Sequence, residues 1–294
     1  MTKIKNLSQA SPEQMRSLQK KELEILKYLK KICEENELKF FLGGGSCIGT
    51  LRHQGFIPWD DDVDVFMLRD DYERLYKDWN KYSQNKKYSL CRSDETHNYR
   101  HAAMTINDND TTFINFRTQD EDVNQGIAVD IIPIDYLANG FWQRCWQRWN
   151  AIIFSIFINQ RLPDNQGKVL RLLTELPLAI IRAPQKRYKV WKRAEKRMIK
   201  YSSKNGNQAV ELVTGLKAIM RPLKPEWFEN VRYEKFEDTE MPIAVGAEKY
   251  LTLIFGDYMK MPPVESRLAK HHTALIDTEK SFTDYKGKYY LVRK

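Results

Sequence analysis

FFLGGGSCIGTLRHQGFIPWDDDVDV, residues Phe40 to Val65, decides how this chain is read. A short apolar strand runs into a Gly-Ser turn, a helix is predicted over Cys47 to His53, and an acidic strand follows. In that strand Asp62 and Asp64 alternate with Val63 and Val65, so a pleat of period two places both carboxylates on one face. Two carboxylates about 7 Å apart along a strand can turn oxygens toward one point. A cation such as Mg²⁺, which prefers oxygen ligands and completes its shell with substrate phosphates, suits that point. The turn Gly43-Gly44-Gly45-Ser46 lets backbone N–H groups approach an anion closely, and the helix behind it directs its positive end the same way.

Working outward, Ser11-Pro12-Glu13-Gln14 reads as a capping box opening an amphipathic helix through Leu18, Leu23, Leu26, Leu29 and Ile32. Phe40 to Leu42 and Val63 to Met67 are predicted strands, and Asp70 caps a helix to about Tyr82. Further strands are expected at Tyr88 to Arg92, Ala102 to Asn107 and Thr111 to Phe116, the last two joined by the turn residues Asp108-Asn109-Asp110. Gly126 to Ile132 is one more strand, apolar except for Asp130. An ionised group there costs several kcal/mol unless it is paired, solvated at an edge or bound to a metal. Beside Asp62 and Asp64, a third carboxylate from a neighbouring strand would complete a three-aspartate metal cluster.

The composition is globular: 294 residues, 42% hydrophobic and 12% aromatic. The formal charge of +9 favours an anionic partner, whether nucleotide phosphate, lipid headgroup or nucleic acid. Cys33, Cys47, Cys91 and Cys145 are widely spaced, which argues against a zinc site or a disulfide framework and for a reducing, cytoplasmic compartment. The N-terminus lacks the apolar stretch of a signal peptide, and no run reaches the roughly 18 apolar residues of a spanning helix. Residues 141–204 differ from the rest, with fifteen Lys or Arg against three acidic residues. Trp142, Trp146 and Trp149 recur there at about helical spacing, before the apolar runs Ala151 to Ile158 and Val169 to Ile181. Such a segment either lies at a membrane surface or packs as a helical subdomain, with a nucleic-acid surface as the third option. Near the C-terminus, Gly256-Asp257-Tyr258 ends a helix and Pro262-Pro263 makes an extended turn. Arg267, His271 and His272 follow at spacings that share one helix face, where arginine could hold a phosphate and histidine a proton.

Taken together, Gly44-Gly45-Ser46, the run Leu51 to Asp64, Val129 to Asp135, Phe255 to Met259, Pro262-Pro263 and Arg267 resemble the LicD family of phosphotransferases, a group that also resembles the catalytic domain of fukutin-related protein. The resemblance implies an α+β fold, a nucleotidyltransferase-like mixed β-sheet flanked by helices, with an added basic, largely helical segment. Together with the basic composition of 141–204, it divides the chain into a catalytic core at 1–140, a basic amphipathic segment at 141–204 and a part at 205–294 that completes the active site. It makes Asp62, Asp64 and Asp130 the catalytic residues and the ligands of Mg²⁺ or Mn²⁺, with Asp60 and Asp61 in support; His271 and His272 join them as supporting groups through their spacing from Arg267. Gly44, Gly45, Ser46, Arg52, His53 and Arg267 would bind nucleotide and phosphate. The implied reaction moves a phospho-alcohol, phosphocholine first among them, from a CDP-linked donor such as CDP-choline to a glycan hydroxyl, releasing CMP. The acceptor would be a lipid-linked glycan of the teichoic acid, lipopolysaccharide or capsule type, met at the cytoplasmic face of the membrane by a peripheral enzyme, and no nucleic acid is expected as a partner. The alternatives are a true nucleotidyltransferase acting on RNA, protein or a small molecule, and a basic nucleic-acid- or membrane-binding scaffold with an inactive site.

Overall fold

The computed structural model describes residues 3–4, 7–160, 168–202, 206–269, 271 and 273–292. His272 therefore lies outside the described residues. Contacts divide the chain into two units: Met1–Cys91, Met104–Ile132 and Glu226–Lys294 form the first, Arg92–Ala103 and Pro133–Pro225 the second.

After β1 (Lys3–Ile4), α1 (Pro12–Glu35) starts at the capping box, with both reciprocal bonds between Ser11 and Gln14 made. Its apolar stripe of Leu18, Ile25, Leu26 and Leu29 is fully buried. There follow β2 (Phe41–Leu42), α2 (Gly44–His53), β3 (Asp64–Leu68), α3 (Arg69–Tyr82), β4 (Tyr88–Cys91), β5 (Met104–Asp108), β6 (Thr112–Asn115) and β7 (Ile127–Tyr136). The mixed sheet runs β2-β3-β7-β5-β4, so Asp130 sits on an interior strand between β3 and β5 rather than on an edge. It stands opposite Thr105, and its N–H donates to Val63 O at 2.9 Å. Residues 108–110 do turn the chain, but the strands on either side do not form a hairpin: β5 stays in this sheet and β6 leaves it. Asp70 lies inside the first turn of α3, whose N-cap is Leu68.

In the second unit α4 (Phe141–Asn159), α5 (Lys168–Ile180) and α6 (Pro184–Ile199) follow β7. α4 packs on α6, burying Ala151, Phe154, Phe157 and Ile158 on one helix and Trp191, Ala194 and Met198 on the other. The apolar run at 151–158 is thus core. The aromatic residues ahead of it, Phe141, Trp142, Trp146 and Trp149, face outward, Trp142 being 80% exposed. Buried Glu195 is held by Arg92 at 2.8 Å and Lys192 at 2.6 Å, which keeps its carboxyl below the usual range despite burial. β8 (Ala209–Val210) pairs with the end of β7, and α7 (Leu216–Met220) closes the unit.

The first unit resumes with the hairpin β9 (Val231–Phe236) and β10 (Thr239–Ala244), then α8 (Ala247–Phe255). Gly256, at φ +70°, ends α8 in a conformation that favours glycine. β11 (Thr273–Asp277) pairs with both β1 and β6.

Candidate active site

The site is built where the 40–65 stretch folds back on itself. Gly43 donates its N–H to Asp64 O at 2.9 Å, and α2 begins at Gly44, three residues ahead of the predicted start. Gly44 has φ +44°, and a Cβ there would stand 2.9 Å from Asp64 Oδ2. At Gly45 a Cβ would stand 2.6 Å from Asp60 Oδ2. The absence of both side chains is what allows two carboxylates to lie against the first turn of α2, whose N–H groups have no intrahelical acceptor. Ser46 Oγ accepts a hydrogen bond from Asp64 N–H at 3.0 Å, which ties the helix to the start of β3 and leaves the hydroxyl proton free to donate. Burial alternates through 61–65 as expected, with Val63 and Val65 buried and Asp62 and Asp64 half-buried, although the strand itself begins at Asp64.

Ligand-capable oxygens of Asp60, Asp61 and Asp62 all lie within 4.8 Å of one another. Among the described residues this is the group of three close enough to share a cation; Asp64 lies against Gly44, and the charge of Asp130 bears on both His271 and Glu22. Asp61 is 2% exposed, and its Oδ2 accepts from both the backbone N–H (3.1 Å) and Nδ1 (3.2 Å) of His271. The Asp61 hydrogen bond raises the His271 pKa to about 9 against the opposing effect of burial, with Asp62 and Asp130 adding attraction. The ring is therefore a cation at neutral pH. Gln19 of α1 donates to the carbonyls of Ile57 (3.1 Å) and Asp60 (3.0 Å), fixing the loop that delivers the aspartates. One turn further along α1, Glu22 is 1% exposed, and burial, followed by Asp62, Asp61, Asp60 and Asp130, pushes its carboxyl well above the usual range. An all-carboxylate donor set of this density fits a hard divalent cation.

A basic and aromatic rim adjoins the acidic cluster. Trp59 takes the Arg267 guanidinium over its ring at 5.3 Å and stands perpendicular to the His53 ring, centroids 6.2 Å apart. Arg52, at the end of α2, donates to the carbonyls of Tyr258 (2.7 Å) and Lys260 (3.2 Å). Burial lowers the pKa of both Arg52 and His53; Arg267 lowers that of Arg52 further, and Arg52 that of His53, so His53 is neutral at pH 7.

The expected shared helix face for Arg267 and His271 is not present. Val264–Ser266 is a single 3₁₀ turn, and the described residues after it are irregular up to Thr273. The His271 amide, which a helix would spend on its own backbone, is taken by Asp61 instead. The sequence reading missed Gln19, Glu22 and Trp59 as parts of the site. For Glu22 a signal existed: it lies four residues after Leu18 and four before Leu26, on the apolar stripe of α1.

Residues 37–159 match the model of the LicD/FKTN/FKRP nucleotidyltransferase domain. The chain is 28% identical to the lipopolysaccharide cholinephosphotransferase LicD of Haemophilus influenzae, over 85% of its own length and 92% of that protein's. It is also 30% identical, over 29% of its length, to an uncharacterised protein of Rickettsia typhi and 27% identical, over 24%, to one of Rickettsia prowazekii; the matches cover 31% and 29% of those proteins.

Proposed function

We propose, from the premise that this chain belongs to the LicD family through its domain at residues 37–159, that it transfers a phospho-alcohol, phosphocholine in the first instance, from a CDP-linked donor to a sugar hydroxyl of a cell-surface glycan. The observation that carries the reading is the packing of the Asp60 and Asp64 carboxylates against the first turn of α2, because anion-binding amides and cation-binding oxygens then meet at one place. The relative's name supports the transferred group and a glycan of the lipopolysaccharide type; teichoic acid and capsule are acceptors of the same chemistry.

In this reading Asp60 and Asp62, with Asp64 and Asp130, would hold Mg²⁺ or Mn²⁺, which would supply positive charge to the diphosphate and to the departing CMP. The Gly44 and Gly45 amides and the Ser46 hydroxyl receive phosphate oxygens, and Arg52, His53 and Arg267 line the donor's approach. The acceptor oxygen forms its bond to the phosphorus next to the alcohol as the bond to the CMP oxygen breaks. Asp130, half-buried on the interior strand, takes the acceptor proton. Asp61 has a different task, holding His271; the part at 205–294 thereby completes a core that lies within 1–140. The basic segment at 141–204 keeps the enzyme on the cytoplasmic face of the membrane. Support for that comes from outward-facing Phe141, Trp142, Trp146 and Trp149 beside Arg144 and Arg148 on a helix with no acidic residue. No helix among the described residues is long and apolar enough to cross a membrane.

A thermal-shift panel of CDP-choline, CDP-ribitol and CDP-glycerol with Mg²⁺ tests the donor, because a ligand that binds only the folded state raises its melting temperature. The reading predicts the largest shift with CDP-choline, dependent on Mg²⁺. No shift with any CDP-alcohol would remove it.

A further inference from the structure

Glu22 lies in the middle of the buried stripe of α1, with Leu18 and Leu26 one turn away on either side, both fully buried. Its Oε2 is buried and has no hydrogen-bond partner. A carboxyl at such a position is expensive whether charged or neutral, and a leucine would fill it at no polar cost. The charges that bear on it are those of Asp62, Asp61, Asp60 and Asp130, so the acidic cluster is its charged neighbourhood. Gln19, three residues earlier on the same face, bonds to the carbonyls of Ile57 and Asp60, which turns this face of α1 to the loop that carries the aspartates. Five carboxyl groups are gathered about one region, and a bound divalent cation would offset their mutual repulsion.

We propose that Glu22 is a further carboxylate of the metal centre, reaching the bound cation or its water from α1 and so making the first long helix part of the site. This rests on the reading that the aspartate cluster holds a divalent cation. A buried carboxylate with no protein partner is stabilised when the cation is present and is a liability when it is absent. Glu22 thus couples the seating of α1 on the Ile57–Asp60 loop to occupation of the site.

The test is isothermal titration of the full metal-free chain with Mn²⁺, alongside its melting temperature with and without Mn²⁺, for the wild type, Glu22→Gln, Glu22→Met and the exposed control Glu24→Gln. The inference predicts that both Glu22 variants bind Mn²⁺ about tenfold more weakly or worse and lose most of the Mn²⁺-induced thermal shift. Their metal-free melting temperatures should equal or exceed that of the wild type, and Glu24→Gln should behave as the wild type does. Wild-type Mn²⁺ affinity in Glu22→Gln would overturn the inference and leave the aspartate site standing. Metal-free unfolding of both Glu22 variants would also overturn it, by making the carboxyl a structural group. No Mn²⁺ binding by the wild type would overturn the cation site itself, and this inference with it.

Discussion

Asp61 and Asp62 are adjacent in the chain and have opposite tasks. Asp61 is buried and hydrogen-bonded to His271, whereas Asp62, 3.9 Å from the same ring nitrogen, keeps 39% of its side chain exposed toward solvent. Asp62→Asn should therefore abolish transfer while the metal-free fold is kept or slightly stabilised, since one of several like charges is removed; activity assays paired with urea unfolding check both halves. His271 supplies a pH signature. Its folded pKa of about 9 lies above the ordinary 6.5, so in the metal-free chain the stabilisation is complete below about pH 6.5 and is lost as the pH rises through about 9. The loss is at most of the order of 3 kcal/mol. Urea unfolding at about pH 6 and pH 9.5 should show it in the wild type and not in His271→Gln. Two glycines of α2 separate catalysis from folding. A Cβ at Gly45 would meet the movable end of Asp60, at 2.6 Å, whereas one at Gly49 would meet the backbone carbonyl of Gly55, at 2.5 Å. Gly45→Ala should lower transfer with a near-normal melting temperature, and Gly49→Ala should destabilise the fold by about 1–3 kcal/mol.

At the scale of elements, α1 organises the site from behind. Gln19→Met keeps the volume but leaves the carbonyls of Ile57 and Asp60 without their donor, and should lower stability by about 2 kcal/mol or more. Equal urea midpoints for that variant and the wild type would contradict this role. The helix itself was legible, because Ser11 and Gln14 with Pro12 are local signals and its apolar stripe has the helical period. The β3 face was legible too, as Asp62 and Asp64 alternate with two valines whatever the strand pairs with. What local pattern does not carry is the conformation of 267–269 and of His271, whose amide bonds to a carboxylate 210 positions away. The departure of β6 to β11 is hidden for the same reason: the turn at 108–110 announces a change of direction and not a partner. α2 begins early because Gly44 and Gly45 serve as helix start and carboxylate seat together, a role their composition alone reads as a turn.

Over the whole molecule, residues 141–204 carry a charge balance of +12 against +9 for the entire chain, so the basic character is local. Co-sedimentation with anionic vesicles at low salt should be lost in Trp142→Ala/Trp149→Ala and weakened in the wild type by salt, as apolar insertion and charge attraction both contribute. Binding that ignores lipid charge, salt and both tryptophans would leave 141–204 as a packed subdomain only. The central claim is that the phosphorus next to the alcohol goes with it to the acceptor, while the other stays in the CMP that leaves. CDP-choline labelled separately in the choline and in the cytidine, incubated with Mg²⁺ and a lipid-linked glycan acceptor, decides it directly. The account predicts choline label on the glycan, cytidine label released as CMP, and neither event with Asp62→Asn. Cytidine label carried onto the acceptor would contradict it and make the protein a nucleotidyltransferase.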